Sequence, residues 1–170
     1  MKGSNGFLNH DFCYEVKTFT SSIFQYKDHV WIYDVKGKNW SEGPSLNVKR
    51  SQHVCIVDPK TKTIHVIGGW TLKQTRHGQN WKPLKSTETL NEASSKWEMG
   101  SDIKKPLLYS AAVSSRSNEY IGYIVGGNSA TPKLWALRRR DMEWIEISKD
   151  FEVRRMMHSL VNVKKSEKGC

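Results

Sequence analysis

The sequence predicts an all-β protein made of repeated four-stranded antiparallel sheets. Three observations lead to this fold class. A tryptophan and a pair of glycines recur at nearly constant spacing, short apolar runs alternate with turn residues, and no segment keeps the period of an amphipathic helix. The chain has 170 residues, of which 37% are hydrophobic and 11% aromatic, so it can bury a core of its own.

The repeat is defined by the distance from each tryptophan to the next glycine pair. Trp40 lies 28 positions before Gly68, and Trp97 lies 29 positions before Gly126. An arginine follows the tryptophan after 10 positions in two copies, but Leu107 takes that place after Trp97. The repeat positions are Trp40, Arg50, His53, Gly68, Gly69, Trp97, Gly126, Gly127, Trp144 and Arg154.

Each copy contains apolar runs separated by turn residues. Residues 53–58 and 63–67 flank a Pro-Lys-Thr-Lys turn, and this pattern predicts a β-hairpin. Residues 109–115 and 120–125 repeat the pattern around a Ser/Arg/Asn turn. Further strands are predicted at 30–35 and 134–138, and at segments that begin with Trp40 and Trp144.

These residues together resemble the blade signature of the kelch-repeat β-propeller family. The signature is a glycine pair after an apolar strand, a tyrosine-containing strand, a tryptophan, and the Arg-x-x-His that Arg50 and His53 form. The resemblance covers roughly residues 23–163. It implies an incomplete ring of about three to four kelch-type blades. The implied blades are about 23–46, 50–100 and 107–148, with the first strand of the next at 154–163.

Both ends of the chain depart from the pattern. Residues 1–22 have no glycine pair where the spacing predicts one, so we treat them as a degenerate or ragged segment, with 12–19 as the best strand candidate. Residues 164–170 form a basic tail. Because a closed propeller has about four to eight blades, we expect either a piece of a longer protein or association of copies through open propeller faces.

The repeat positions are expected to build the scaffold. Large indole rings at Trp40, Trp97 and Trp144 would fill the space between adjacent blades. Arginine and histidine at the following positions would make structural hydrogen bonds between blades, and the glycine pairs would allow close strand approach.

The best candidate for a binding site is an insertion at Thr71–Ser86. Gly69 and Trp97 are 28 positions apart, whereas Gly127 and Trp144 are 17 apart, and the excess predicts a long loop. A tryptophan among cations is typical of interaction surfaces. The alternative is a solvated insertion with Trp81 folded back on the sheet. The candidate protein-binding residues are Lys73, Arg76, His77, Trp81, Lys82 and Lys85, and the segment contains no acid.

The composition narrows the function classes. The net charge of +10 suits an acidic partner, such as a protein surface, nucleic acid or an anionic membrane surface, or simply reflects solvated lysine-rich faces. The six histidines contain no close metal-ligand pair, and the three cysteines show no paired spacing. We therefore assign no catalytic, cofactor-binding or metal residue. Because apolar runs are short and no secretory signal is recognisable, the sequence predicts a cytoplasmic protein without a membrane partner.

The sequence thus predicts a non-catalytic protein-interaction module. The family resemblance implies a role as an adaptor or as a substrate receptor of a ubiquitin ligase, although no BTB-like or F-box-like segment is present in these residues. One alternative is a fragment of a kelch-like propeller enzyme, either an oxidase or a sugar-processing enzyme. A second, disfavoured alternative is a basic nucleic-acid-binding surface that includes Arg138–Arg140.

Overall fold

A computed structural model of the chain describes residues 5–8, 12–16, 28–76, 78–91, 93–126 and 133–148. These residues form strands, turns and bends without a helix, which confirms the all-β class. The strands, in chain order, are β1 (Asn5–Leu8), β2 (Phe12–Val16), β3 (Val30–Asp34), β4 (Asn39–Gly43), β5 (Val54–Val57), β6 (Ile64–Ile67), β7 (Trp70–Thr75), β8 (Gly78–Pro83), β9 (Thr87–Leu90), β10 (Glu98–Met99), β11 (Ala111–Ser114), β12 (Tyr120–Gly126), β13 (Lys133–Arg138) and β14 (Glu143–Ser148).

The strands pair into three four-stranded antiparallel sheets and one hairpin. Sheet I has the order β1-β2-β3-β4, sheet II the order β10-β9-β6-β5, and sheet III the order β11-β12-β13-β14. The hairpin of β7 and β8 interrupts sheet II between its neighbouring strands β6 and β9. Strand β5 contacts β1 on one side and β11 and β12 on the other, so sheet II lies between sheets I and III.

Strands β5 and β6 of sheet II are buried on both faces, as expected for nearly continuous apolar runs. Side chains alternate along each strand, so Val54, Ile56 and Ile67 pack toward sheet III, with Trp135 and Trp144. The intervening side chains pack toward sheet I in a second cluster of Val30, Leu46, Cys55, Ile64, Val66, Leu90 and Trp97.

Two of the three repeat tryptophans connect a sheet to the sheet before it. The Trp97 indole N–H donates to the carbonyl of Pro44, 2.7 Å away, at the end of sheet I. The Trp144 N–H donates to the hydroxyl of Thr87 in sheet II at 3.3 Å. Both rings are 4% exposed.

Trp40 differs from the core role predicted for it, because 49% of it is exposed. It lies on β4 and contacts Tyr33 across the strand pair, with ring centroids 4.9 Å apart. Sheet I is the first sheet among the described residues, and no described sheet lies on the Trp40 side of it as sheets I and II lie against Trp97 and Trp144. The same sequence motif therefore gives a buried tryptophan only where a sheet precedes it.

A buried ion pair joins the segment before β5 to β9. Arg50 and Glu88 are both fully buried, and the Arg50 Nη2 atom lies 2.6 Å from Glu88 Oε1. Arg50 also donates to the carbonyls of Gly68 and Ser86 and to the Ser86 hydroxyl, at 3.0, 3.0 and 3.1 Å. Glu88 accepts further bonds from the backbone N–H groups of Asn47 and Val48. These bonds pair the two buried charges, which would be costly to bury alone, although Arg50 Nε has no hydrogen-bond partner among the described residues.

The first glycine pair occupies a site that other residues would strain. Gly68 and Gly69 have φ values of +67° and +85°, in the left-handed region that favours glycine. A Cβ on Gly69 would collide with the carbonyl oxygen of Ser51, and one on Gly68 would lie 2.7 Å from the carbonyl oxygen of Leu107. Gly126 also has a positive φ, whereas Gly127 and Arg154 lie outside the described residues.

One expectation about chain organisation differs from the structure, and one that was left open can be described. Residues 1–22, treated as degenerate or ragged, contain β1 and β2, and β2 lies within the strand candidate 12–19 and pairs with β3 in sheet I. The expected long loop at Thr71–Ser86 is the ordered hairpin of β7 and β8. The hairpin strands lack the apolar run by which β5 and β6 are recognised.

No helix able to cross a membrane occurs in the part of the chain that the structure describes.

Candidate protein-binding hairpin

The β7–β8 hairpin is amphipathic because residues paired across its strands share a face. Leu72 pairs with Trp81, and Trp70 pairs with Pro83, so these four side chains form one apolar face. The rings of Trp70 and Trp81 meet edge to face, with centroids 6.4 Å apart. The opposite face carries the polar and cationic pairs Thr71–Lys82 and Lys73–Asn80.

Backbone hydrogen bonds hold the base of the hairpin to the body of the protein. Trp70 and Ser51 exchange two N–H to carbonyl bonds, 2.8 and 2.9 Å long. The N–H of Leu84 donates to the carbonyl of Gly69 at 2.8 Å. An isolated two-stranded hairpin is only marginally stable in water. These bonds and the buried Leu84 side chain therefore stabilise the hairpin, and they also fix its direction relative to the sheets.

A cavity of about 200 Å³ lies between the apolar face of the hairpin and the loops that precede sheets II and III. Its walls include two tryptophans and a tyrosine, and Ser51 and Gln52 add polar groups. Trp81 is 42% exposed at this site. We call this space the hairpin cavity; its lining residues are Ser51, Gln52, Trp70, Trp81 and Tyr109.

Two lining residues have backbone angles that are rare for residues with a side chain. Gln52 and Tyr109 have φ values of +54° and +53°. Each lies two positions before the first strand of its sheet, before Val54 and Ala111 respectively, so the bend recurs between sheets II and III. The other described non-glycine residues with positive φ lie in or beside the short turns between paired strands. The repeated bend places both side chains beside the same cavity.

The structure separates the residues that the sequence grouped together. Trp81 lines the hairpin cavity, whereas Lys73 and Lys82 lie on the opposite face of the hairpin. Arg76 is exposed in the turn, Lys85 is exposed beyond β8, and His77 lies outside the described residues. Trp81 and these two lysines therefore do not share a face of the hairpin, because neighbouring positions of a strand point to opposite faces.

Four lining residues were missed by sequence reasoning. Trp70 directly follows the glycine pair, Ser51 and Gln52 lie inside the Arg-x-x-His segment, and Tyr109 begins a predicted strand. The sequence predicts no binding role for any of these positions. The signal that could have found them is their shared place in the repeat, since Gln52 and Tyr109 occupy equivalent positions.

A second cavity of about 380 Å³ lies between sheets II and III near His65 and Trp144. His65 is fully buried, and neither ring nitrogen has a hydrogen-bond partner among the described residues. Burial lowers the pKa of His65 to about 4. Burial, together with the charge of Arg50, lowers the pKa of His53 to about 3. Both imidazoles are therefore neutral at physiological pH.

The arginine run at the opposite end of the sheets is paired with acids. Arg138 forms hydrogen bonds to both carboxylate oxygens of Asp141 at 2.7–3.1 Å, and Arg139 forms an ion pair with Asp58. Arg140 also contacts Asp141, at 3.3 Å. The positive charge of this turn is thus largely balanced within the protein.

No group of three or more histidine, cysteine or acidic side chains that could hold a metal ion occurs among the residues described above.

Comparisons with known proteins support the architecture alone. No family model matches the chain, and no curated protein matches it significantly. Among solved structures, the chain is similar to the structure of YjhT, with a TM-score of 0.64 and 14% sequence identity. The match covers 86% of this chain and 45% of that chain, so this chain spans less than half the length of YjhT.

Proposed function

We propose that this chain is a non-catalytic protein-interaction module built from kelch-type propeller blades, and that a partner protein binds at the hairpin cavity. The blade assignment is supported by the recurring glycine pairs and by Trp97 and Trp144, which pack each sheet against the one before. We further propose that the chain serves as part of an adaptor or substrate receptor.

The observation that carries the proposal is the aromatic cavity beside a protruding hairpin. Trp81 leaves 42% of its surface in contact with solvent, although Trp70 and Tyr109 lie beside it. Tryptophan and tyrosine dominate the binding energy of protein interfaces when a partner removes them from water. A partner side chain that enters the cavity would cover this surface and contact the polar groups of Ser51 and Gln52.

The test compares two exposed tryptophans. Trp81→Ala removes an indole at the hairpin cavity, and Trp40→Ala removes a similarly exposed indole on sheet I, 49% against 42%. Partners captured from cell extract by the intact protein are identified by mass spectrometry and then purified for direct titration. We expect Trp81→Ala to weaken binding at least about tenfold and Trp40→Ala to leave it unchanged. Equal effects of the two substitutions would contradict the proposal.

A further inference from the structure

Strand β8 has an edge that no described strand covers. It pairs with β7 along one side only, in a sheet of two strands. Residues 78–82 are all exposed. The outer edge of β7 differs, because Trp70 is held there by its two bonds to Ser51. An uncovered strand edge is a template on which another extended segment can pair.

The register determines which backbone groups point toward that edge. In an antiparallel pair, residues alternate between those that bond to the partner strand and those that point away from it. The bond from the Leu84 N–H to the Gly69 carbonyl fixes this alternation. The backbone N–H and carbonyl groups of Lys82 and Asn80 therefore point toward β7. Gln79 then turns its N–H and carbonyl to the outer edge.

The two faces of the hairpin specify the chemistry of an added strand. Trp81 and Pro83 lie on the apolar face, while Lys82 lies on the cationic face beside Lys73 of the neighbouring strand. A strand placed next to β8 would alternate its own side chains between these faces. Apolar residues would lie beside Trp81, and acidic residues would lie beside the lysines. The absence of any acid in residues 71–86 favours the same choice of partner charge.

We propose that β8 binds an extended segment of a partner protein by β-strand addition, and that this segment alternates apolar with acidic residues. The inference rests on the proposed function, because it identifies the kind of segment that the binding hairpin takes. Backbone pairing along β8 provides the attachment, and one apolar side chain enters the hairpin cavity. On the cationic face, the acidic residues of the added strand pair with Lys73 and Lys82 and so fix its register.

The test uses a synthetic peptide and two substitutions at one position. The probe is a labelled peptide of about eight residues that alternates Glu and Val with one Phe, and its control has the same composition with the glutamates grouped. Gln79→Pro removes the outward N–H but leaves the bonds between β7 and β8 intact, so the hairpin should fold. Gln79→Ala changes the side chain and keeps the N–H. Fluorescence anisotropy on the full chain measures each affinity.

Strand addition predicts that Gln79→Pro weakens binding of the alternating peptide about tenfold, while Gln79→Ala changes it less than about twofold. Unfolding curves of the two variants should match that of the intact protein, which separates lost pairing from lost folding. The double substitution Lys73→Glu and Lys82→Glu should reverse the charge preference and favour a peptide with Lys in place of Glu.

Three results would overturn the inference. The first is equal binding of the alternating and grouped peptides, and the second is unchanged binding by Gln79→Pro. The third is displacement of the labelled peptide by an oligothymidine at a lower concentration than the unlabelled peptide requires. Partner binding that depends on Trp81 would still stand in the first two cases, so failure of strand addition is distinguishable from failure of the proposed function. Loss of that dependence on Trp81, with the peptide results intact, would reject the cavity as the partner site and retain strand addition.

Discussion

Arg50→Met is expected to lower the free energy of unfolding by about 3–5 kcal/mol, because it leaves the Glu88 carboxylate buried without its cation. Methionine keeps much of the apolar stem of arginine, so the lost stability comes chiefly from removal of the guanidinium group. Arg50 and Glu88 are both fully buried, and their charged atoms lie 2.6 Å apart.

The hydrogen bonds of Arg50 lead to a similar magnitude. The guanidinium donates to Glu88, to the Gly68 carbonyl, and to the carbonyl and hydroxyl of Ser86. At about 1 kcal/mol net for each lost bond, these four contacts amount to about 4 kcal/mol. The two estimates describe the same interaction from different starting points and are not additive. Both give a loss of roughly 3–5 kcal/mol in the free energy of unfolding.

Urea unfolding followed by tryptophan fluorescence measures the effect, with Arg138→Met as the matched control. Arg138 also pairs with a carboxylate, that of Asp141, but both side chains are partly exposed. We expect the control to cost only about 0–1 kcal/mol. Replacing both buried charges, as Arg50→Met with Glu88→Leu, should be less destabilising than Arg50→Met alone. A difference below about 1 kcal/mol between Arg50→Met and Arg138→Met would refute the reasoning.

Three further predictions concern stability. Trp144→Ala should lower the free energy of unfolding in urea by about 3–5 kcal/mol, because it removes the indole that packs between sheets II and III. Trp40→Ala should lower it by under about 1 kcal/mol, because Trp40 is half exposed. Similar losses for the two substitutions would contradict the different burial of the two rings. Gly69→Ala should lower the thermal midpoint by several degrees, since its φ is +85° and a Cβ would meet the Ser51 carbonyl; an unchanged midpoint would mean that the turn relaxes freely. The pKa of His65 falls from 6.5 in the unfolded chain to about 4 in the folded protein, so the unfolded chain binds more protons between these values. Stability should therefore fall as pH drops from about 6.5 to about 4, and His65→Leu should flatten this part of the profile; an equally steep profile in the variant would assign the loss to other groups.

The sequence predicts strands best where burial on both faces leaves an unambiguous signal. Residues 54–57 and 64–67 are apolar runs bounded by turn residues, and both are strands of sheet II. The hairpin was missed because its strands are rich in Lys, Gln and Asn. Its direction depends on two bonds between Ser51 and Trp70, positions far apart in the chain. No local pattern contains that information.

The candidate site was predicted in part for a related reason. Trp81 could be selected because an indole in a cationic insertion is unusual. Its neighbours in the cavity come from the loops before two different sheets, and only tertiary structure brings Gln52 and Tyr109 together. Trp40 shows the limit of motif reasoning, since its burial depends on a neighbouring sheet rather than on its own surroundings in the sequence.

The hydrogen bonds of the repeat tryptophans give the stack of sheets a polarity. Trp97 and Trp144 each reach backward along the chain, to Pro44 and Thr87, so sheets II and III each carry the donating indole and sheets I and II each provide the acceptor for the next sheet. A sheet joined ahead of sheet I would meet the donor side, where Trp40 stands. Because two donor sides offer each other no matching acceptor, a further sheet that used this contact would have to join head-to-tail.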